Sequence, residues 1–183
     1  MNPLISRLLT LKFLDMKLTT FAIRTWRMLS MLAVFGASVY SYSLFGEDVG
    51  VHFDATGKAD EFMRKSDVFY IIVGLILVNN VLLTALGKQL LKLPNDLLPI
   101  PNQSEWAAQR DELNGHLLNW VYCLVAMINT LISMTVFALA TVNNEFVYKI
   151  SDFEGLFYLV VGVLLIIVLA LPVRLLIKPK VEE

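Results

Sequence analysis

The chain is 183 residues long, 57% hydrophobic and only 17% charged, with a formal net charge of −1. Soluble domains carry about 45–50% apolar and about 25% charged residues, so this balance points to the membrane class and offers no basic field of the kind that binds nucleic acid. One cysteine, Cys123, excludes an intrachain disulfide and any cysteine-based metal site.

The N-terminal tail, residues 1–27, is apolar for a free tail, yet a projection at 100° per residue scatters Arg7, Lys12 and Lys17 around a helix instead of along one face. It is expected to pack on the inner ends of the helices or on a partner protein, or to associate loosely with the bilayer surface. The run "MLSMLAVFGASVYSYSLF", 28–45, is long enough for a first span. The tail before it is too long for a signal-peptide n-region and the apolar run continues past its small residues, so it is expected to stay uncleaved. Within it Ala33, Ala37 and Ser41 recur every four residues, a spacing that lets helices approach closely.

The loop 46–66 is dense in polar and turn-forming residues. "VHF" suits an extended segment with Val51 and Phe53 on one face and His52 on the other. "DATG" reads as a turn, Asp54 bonding nearby backbone and Gly57 supplying a positive φ. Ser66 or Asp67 stands where a cap for the next helix belongs. The expectation is a hairpin-like unit on the membrane surface. His52, Asp54, Asp60 and Glu61 fall short of a zinc or calcium pattern, so no metal and no other cofactor is expected.

A second span covers 67–87 and carries Asn79, Asn80 and Thr84 at membrane depth. The loop 88–115 is punctuated by Pro94, Pro99 and Pro101; Ser104 then suits a helix cap, and Trp106, Arg110, Leu113, Leu117 and Trp120 follow at helical steps, a face that reads as an interfacial anchor. In the third span, 116–141, Asn119, Tyr122, Ala126, Asn129 and Ser133 share one face. Interhelical hydrogen bonding is the preferred reading of that face, ahead of a polar path. A loop at 142–154 leads to the fourth span, 155–177, which is apolar around most of its circumference and carries Pro172 near its end. No span holds a charge near its middle, which weighs against a transporter or pump.

Basic residues cluster in the tail, in the 88–115 loop and after the fourth span, against only Lys58, Arg64, Lys65 and Lys149 on the opposite face. The positive-inside rule then puts both termini in the cytoplasm and the loops 46–66 and 142–154 outside. The fold class expected is an all-α integral membrane protein, a single domain of four transmembrane helices with one structured outer loop.

His52, Phe53, Gly57 and Asp60, followed by Lys65 and a spanning helix, form an H-F-x-x-x-G-x-x-D loop. It resembles the small membrane domain found in SdpI-type proteins. Pro101, Asn102, Trp106 and Arg110 are similar to a P-N-x-x-x-W-x-x-x-R segment of the same broad group. The resemblance implies membership, with immunity or signal sensing as one use of the scaffold. The expected location is the bacterial cytoplasmic membrane.

The leading reading is a non-enzymatic membrane protein whose outer loop binds a ligand or signal through His52, Phe53, Asp54, Gly57, Asp60 and Lys65. Asn102, Trp106 and Arg110 then belong to an inner relay face, and Asn79, Asn80 and Asn129 form the intramembrane polar group. The alternative is an accessory subunit of a larger membrane complex. The partners expected are the lipid bilayer and other membrane subunits or a second copy, not nucleic acid. A small transporter or channel comes third. An enzyme comes last, because no nucleophile–base pair gathers on one side.

Overall fold

The computed structural model describes residues 3–54, 56–144 and 148–179, with side chains from residue 18 onward. How the tail's side chains up to residue 17 pack therefore lies outside the described residues. The chain is built around one long helix, α5 (Arg110–Asn144). Helix α1 (Pro3–Leu44) lies along it, α2 (Lys65–Leu77) and α3 (Thr84–Leu90) pack beside it, and α6 (Glu154–Leu176) closes a further flank. A six-residue π-helical stretch, Val78–Leu83, joins α2 and α3 into one rod. A short helix α4 (Gln103–Ala108) precedes α5.

Among the described residues three helical segments are long and apolar enough to cross a membrane: Lys65–Leu90, Arg110–Asn144 and Ile150–Leu176. Their outer faces agree with that solvent. Tyr158 is 73% exposed and Ile166 68%, a coating that a water-soluble surface does not sustain over a whole helix. The run 28–45 is helical to Leu44 but is more polar than these three; Ser30, Ser38, Ser41, Ser43, Tyr40 and Tyr42 lie within it.

The loop 46–66 is a true antiparallel hairpin, so the fold is not wholly helical. Strands β1 (Asp48–Phe53) and β2 (Ala59–Arg64) pair with Asp48 opposite Arg64 and Phe53 opposite Ala59. Two register shifts lie between these ends, one on each side of the His52–Glu61 pair. They leave one extra residue in each strand, Val51 and then Asp60, so the two bulges cancel.

A core of Val34, Phe45, Val49, Val68, Ile72, Ile132, Val136 and Ala140 ties α1, β1, α2 and α5 together beneath the hairpin. A second cluster of Leu98, Trp106, Leu113, Leu117 and Leu175 sits under the 88–115 loop. Helix α3 meets α5 closely at Gly87, where a Cβ would fall 2.7 Å from both methyls of Val121.

Four details depart from the expectations. The packing stripe of α1 is Ser30, Val34, Ser38 and Ser41, while Ala33 is exposed; serine is small enough for close approach and also supplies a hydroxyl, as when Ser41 Oγ donates to the Val136 carbonyl at 3.2 Å. Neither Ser66 nor Asp67 caps α2: β2 runs directly into the helix, whose N-cap is Arg64, and the Lys65 N–H donates to the Glu47 carbonyl at 2.9 Å. Asn102, not Ser104, is the N-cap of α4, at φ 53°, a left-handed conformation that asparagine tolerates. Trp106 does not face the bilayer; it is fully buried in protein, because its indole N–H has a partner in α6.

Candidate functional site

Three polar assemblies stand out among the described residues: in the hairpin, midway along the helices, and at the end of the bundle around α4, here termed the inner end. In the hairpin, Asp54 Oδ1 accepts from the Thr56 N–H (2.8 Å), the Thr56 hydroxyl (2.7 Å) and the Lys58 N–H (3.0 Å). The Thr56 hydroxyl first, then the backbone N–H groups, hold the Asp54 carboxyl below its usual range. Gly57 takes φ +84°, and Lys149 packs against it. The turn predicted from "DATG" is thus an Asx-type turn.

His52 Nδ1 lies 2.5 Å from Asp60 Oδ1. The bulge at Asp60 makes this possible, since the register opposes His52 to Glu61. The hydrogen bond and charge of Asp60 raise the His52 pKa above 6.5. Both side chains are open to solvent. Phe53 is half-buried, on the opposite face to His52. Lys65 turns inward instead: its Nζ donates to the Phe45 carbonyl at 3.0 Å and sits 4.4 Å from the Tyr42 ring centroid. Beside it, Tyr42, Glu47, Asp48, Arg64, Lys65 and Ser66 line an open depression of about 500 Å³. The loop residues expected to act together therefore divide into an exposed His52–Asp60 pair, a turn built by Asp54 and Gly57, and Lys65 in a mixed-charge depression.

At mid-span the three predicted asparagines meet. Asn80 and Asn129 exchange two hydrogen bonds, Nδ2 to Oδ1 at 2.8 Å and 2.9 Å. Asn79 Nδ2 donates to the same Asn129 Oδ1 (2.8 Å) and to the Val125 carbonyl (2.9 Å). Asn129 Nδ2 also reaches Ser30 Oγ at 3.5 Å. The neighbours Asn79 and Asn80 converge on one partner within the π-helical stretch, a local widening often found at functional positions. One step inward Arg27 donates to Thr84 Oγ1 (3.2 Å) and stacks over Tyr122 at 4.3 Å.

The inner assembly caps helix ends. The last carbonyls of a helix lack intrahelical donors. Asn102 Nδ2 supplies Leu175 and Leu176 (3.2 and 3.0 Å), and Trp106 Nε1 supplies Leu175 (3.1 Å). Arg110 donates to the carbonyls of Leu91 and Leu93 and to Asn95 Oδ1. Arg174 lies over Trp106 at 4.7 Å and donates to Glu112 at 3.2 Å; Glu112 also lies 3.4 Å from His116. Asn102, Trp106 and Arg110 hold the inner ends of α3 and α6 in place.

Sequence reading missed Asn143, whose side chain docks the hairpin on α5 by accepting from the Gly50 N–H (2.7 Å) and donating to its carbonyl (3.0 Å). It sits in a pair, Asn143–Asn144, with nothing local to tell which one turns inward. Among the described residues no three His, Cys, Asp or Glu side chains gather as metal ligands. No family model, curated protein or solved structure matches the chain.

Proposed function

We propose that the protein is a non-enzymatic integral membrane protein of SdpI-like type, with four spans and both termini inside the bacterial cytoplasmic membrane, whose outer hairpin receives a ligand or signal. The observation that carries this reading is the mixed-charge depression beside a docked hairpin: Glu47, Asp48, Arg64 and Lys65 around about 500 Å³, on a unit held to α5 by Asn143. Both signs of charge in one concave site suit a zwitterionic or peptide-like occupant. The capped inner loop, tied to α6 through Asn102 and Trp106, is the inner face through which such an event is read.

A second reading, an accessory subunit of a larger complex, is favoured by α6: only 6% of the apolar window in Ile150–Leu176 is buried. One experiment separates the two. The tagged protein is purified from native membranes in mild detergent, beside the paired variants Glu47→Gln with Arg64→Gln and His52→Ala with Asp60→Ala. Stoichiometric protein partners that survive both hairpin variants would establish the accessory reading; a bound species lost with the hairpin variants would establish the receptor reading. For topology, Cys123→Ala provides a cysteine-free background. Thr56→Cys should react with a membrane-impermeant maleimide in intact cells and Lys92→Cys should not; the reverse result sinks the orientation.

A further inference from the structure

Asn79 is 2% exposed, and its Oδ1 has no hydrogen-bond donor among the described residues. Its amide orientation is fixed by its surroundings. Nδ2 faces two oxygens, the Val125 carbonyl and Asn129 Oδ1, so turning the amide over would set oxygen against oxygen. The free group is therefore an acceptor. An unsatisfied acceptor away from water costs on the scale of a lost hydrogen bond and marks a place to explain.

Asn79 forms part of the wall of an open-sided cleft of about 610 Å³ between α2 and α5. The hairpin residues Val51 and Met63 line it too, as does Leu83. From Val68 to Leu83 it follows the rod for about 22 Å at the helical rise, the length of an extended alkyl chain. No ionisable side chain lines it; the polar ones are Asn79 and Thr135, and the Thr135 hydroxyl already donates to the Leu131 carbonyl at 2.9 Å. A single water needs two to four polar partners, and the side chains of this wall offer only acceptor positions, at Asn79 Oδ1 and Thr135 Oγ1, with no free donor. A charged ligand is excluded by the lining.

We propose that this cleft is a lateral binding site for a neutral, chain-like lipid bearing a hydroxyl, whose O–H donates to Asn79 Oδ1 while its hydrocarbon lies along α2 and α5. Asn79 Oδ1 is itself buried, so binding requires the lining of the cleft to part and admit the hydroxyl. The Asn80–Asn129 pair fixes the asparagine from behind and leaves the acceptor for the ligand.

The test uses the full-length protein in phosphatidylcholine nanodiscs with two photoactivatable probes: a diazirine-bearing hexadecanol and its methyl ether, which has the same chain and no donor. In the wild type the alcohol should label peptides containing Leu75 or Leu131 about five-fold more than the ether, the factor that one membrane hydrogen bond of ordinary strength supplies. Asn79→Leu should bring that ratio to about one. Leu131→Trp, filling the cleft from α5, should lower labelling by both probes. Equal labelling by alcohol and ether in the wild type would overturn the proposal, leaving a groove filled by bulk acyl chains. So would a preference that survives Asn79→Leu. Should Asn79→Leu not assemble, the wild-type ratio together with Leu131→Trp still decides.

Discussion

The Asn143 side chain pairs with Gly50 as a neighbouring strand would, its Oδ1 accepting from the Gly50 N–H at 2.7 Å and its Nδ2 donating to the Gly50 carbonyl at 3.0 Å. Ninety-three residues separate the two in the chain. The contact requires glycine, because a Cβ at position 50 would lie 2.6 Å from the Ala59 Cβ and 3.2 Å from Asn143 Oδ1. The end of a helix thus extends a two-stranded sheet that on its own would be marginal.

Asn143→Ala should therefore loosen the hairpin without disturbing the helices. It leaves a buried N–H and C=O without partners, worth about 1–3 kcal/mol. Amide hydrogen exchange over residues 48–64 should accelerate by about ten-fold or more, with the helical segments unchanged. Gly50→Ala should do the same by clash. Unaltered exchange in both variants would show that the apolar core beneath it alone holds the hairpin.

Asn129 is the shared partner of Asn79, Asn80 and Ser30, so Asn129→Leu should be the most damaging single change in the mid-span layer. Intramembrane hydrogen bonds average about 0.6 kcal/mol each, and several are lost together, so a loss of about 2 kcal/mol is expected. Ser30→Ala, which removes only the longest of them, should cost well under 1 kcal/mol by the same scale. Denaturation in mixed detergent micelles reads both values.

The His52–Asp60 pair gives the hairpin a pH dependence of definite sign. The folded His52 pKa is raised above 6.5, by the Asp60 hydrogen bond first and its charge second. Its contribution to hairpin order is fully present below pH 6.5 and is lost as pH rises through the raised pKa. Proton NMR of the imidazole should show the elevated midpoint, and Asp60→Asn should bring it back toward the ordinary histidine value. An unchanged midpoint in Asp60→Asn would assign the elevation to another cause.

At the inner end, Gly87→Val should separate α3 from α5, since its Cβ would already fall 2.7 Å from the Val121 methyls. Overpacking of this kind typically costs about 1–3 kcal/mol. Val121→Ala in the same chain should recover part of that loss. A double-mutant cycle measures the recovery, and additive effects would show that the two positions do not meet.

Hydropathy and turn chemistry were legible from the chain alone. Apolar runs of spanning length survive as helices because lipid leaves backbone groups no partners but their own. "VHFDATG" becomes a strand and an Asx turn because Asp54 and Gly57 carry that preference locally. The polar face of α5 was legible too, since a 3.6-residue period puts Asn119, Asn129 and Ser133 on one side. Which partners those side chains meet was decided only in three dimensions. Asn79 and Asn80 converge on Asn129 through a π-helical stretch, Ser30 replaces Ala33 on the packing face of α1, and Trp106 leaves the interface to close the end of α6. Each depends on the rotation and depth at which one helix lies on another. Helical periodicity determines a face, but contacts made across 49, 69 or 93 residues of sequence depend on how the faces are turned together, and no local preference encodes that.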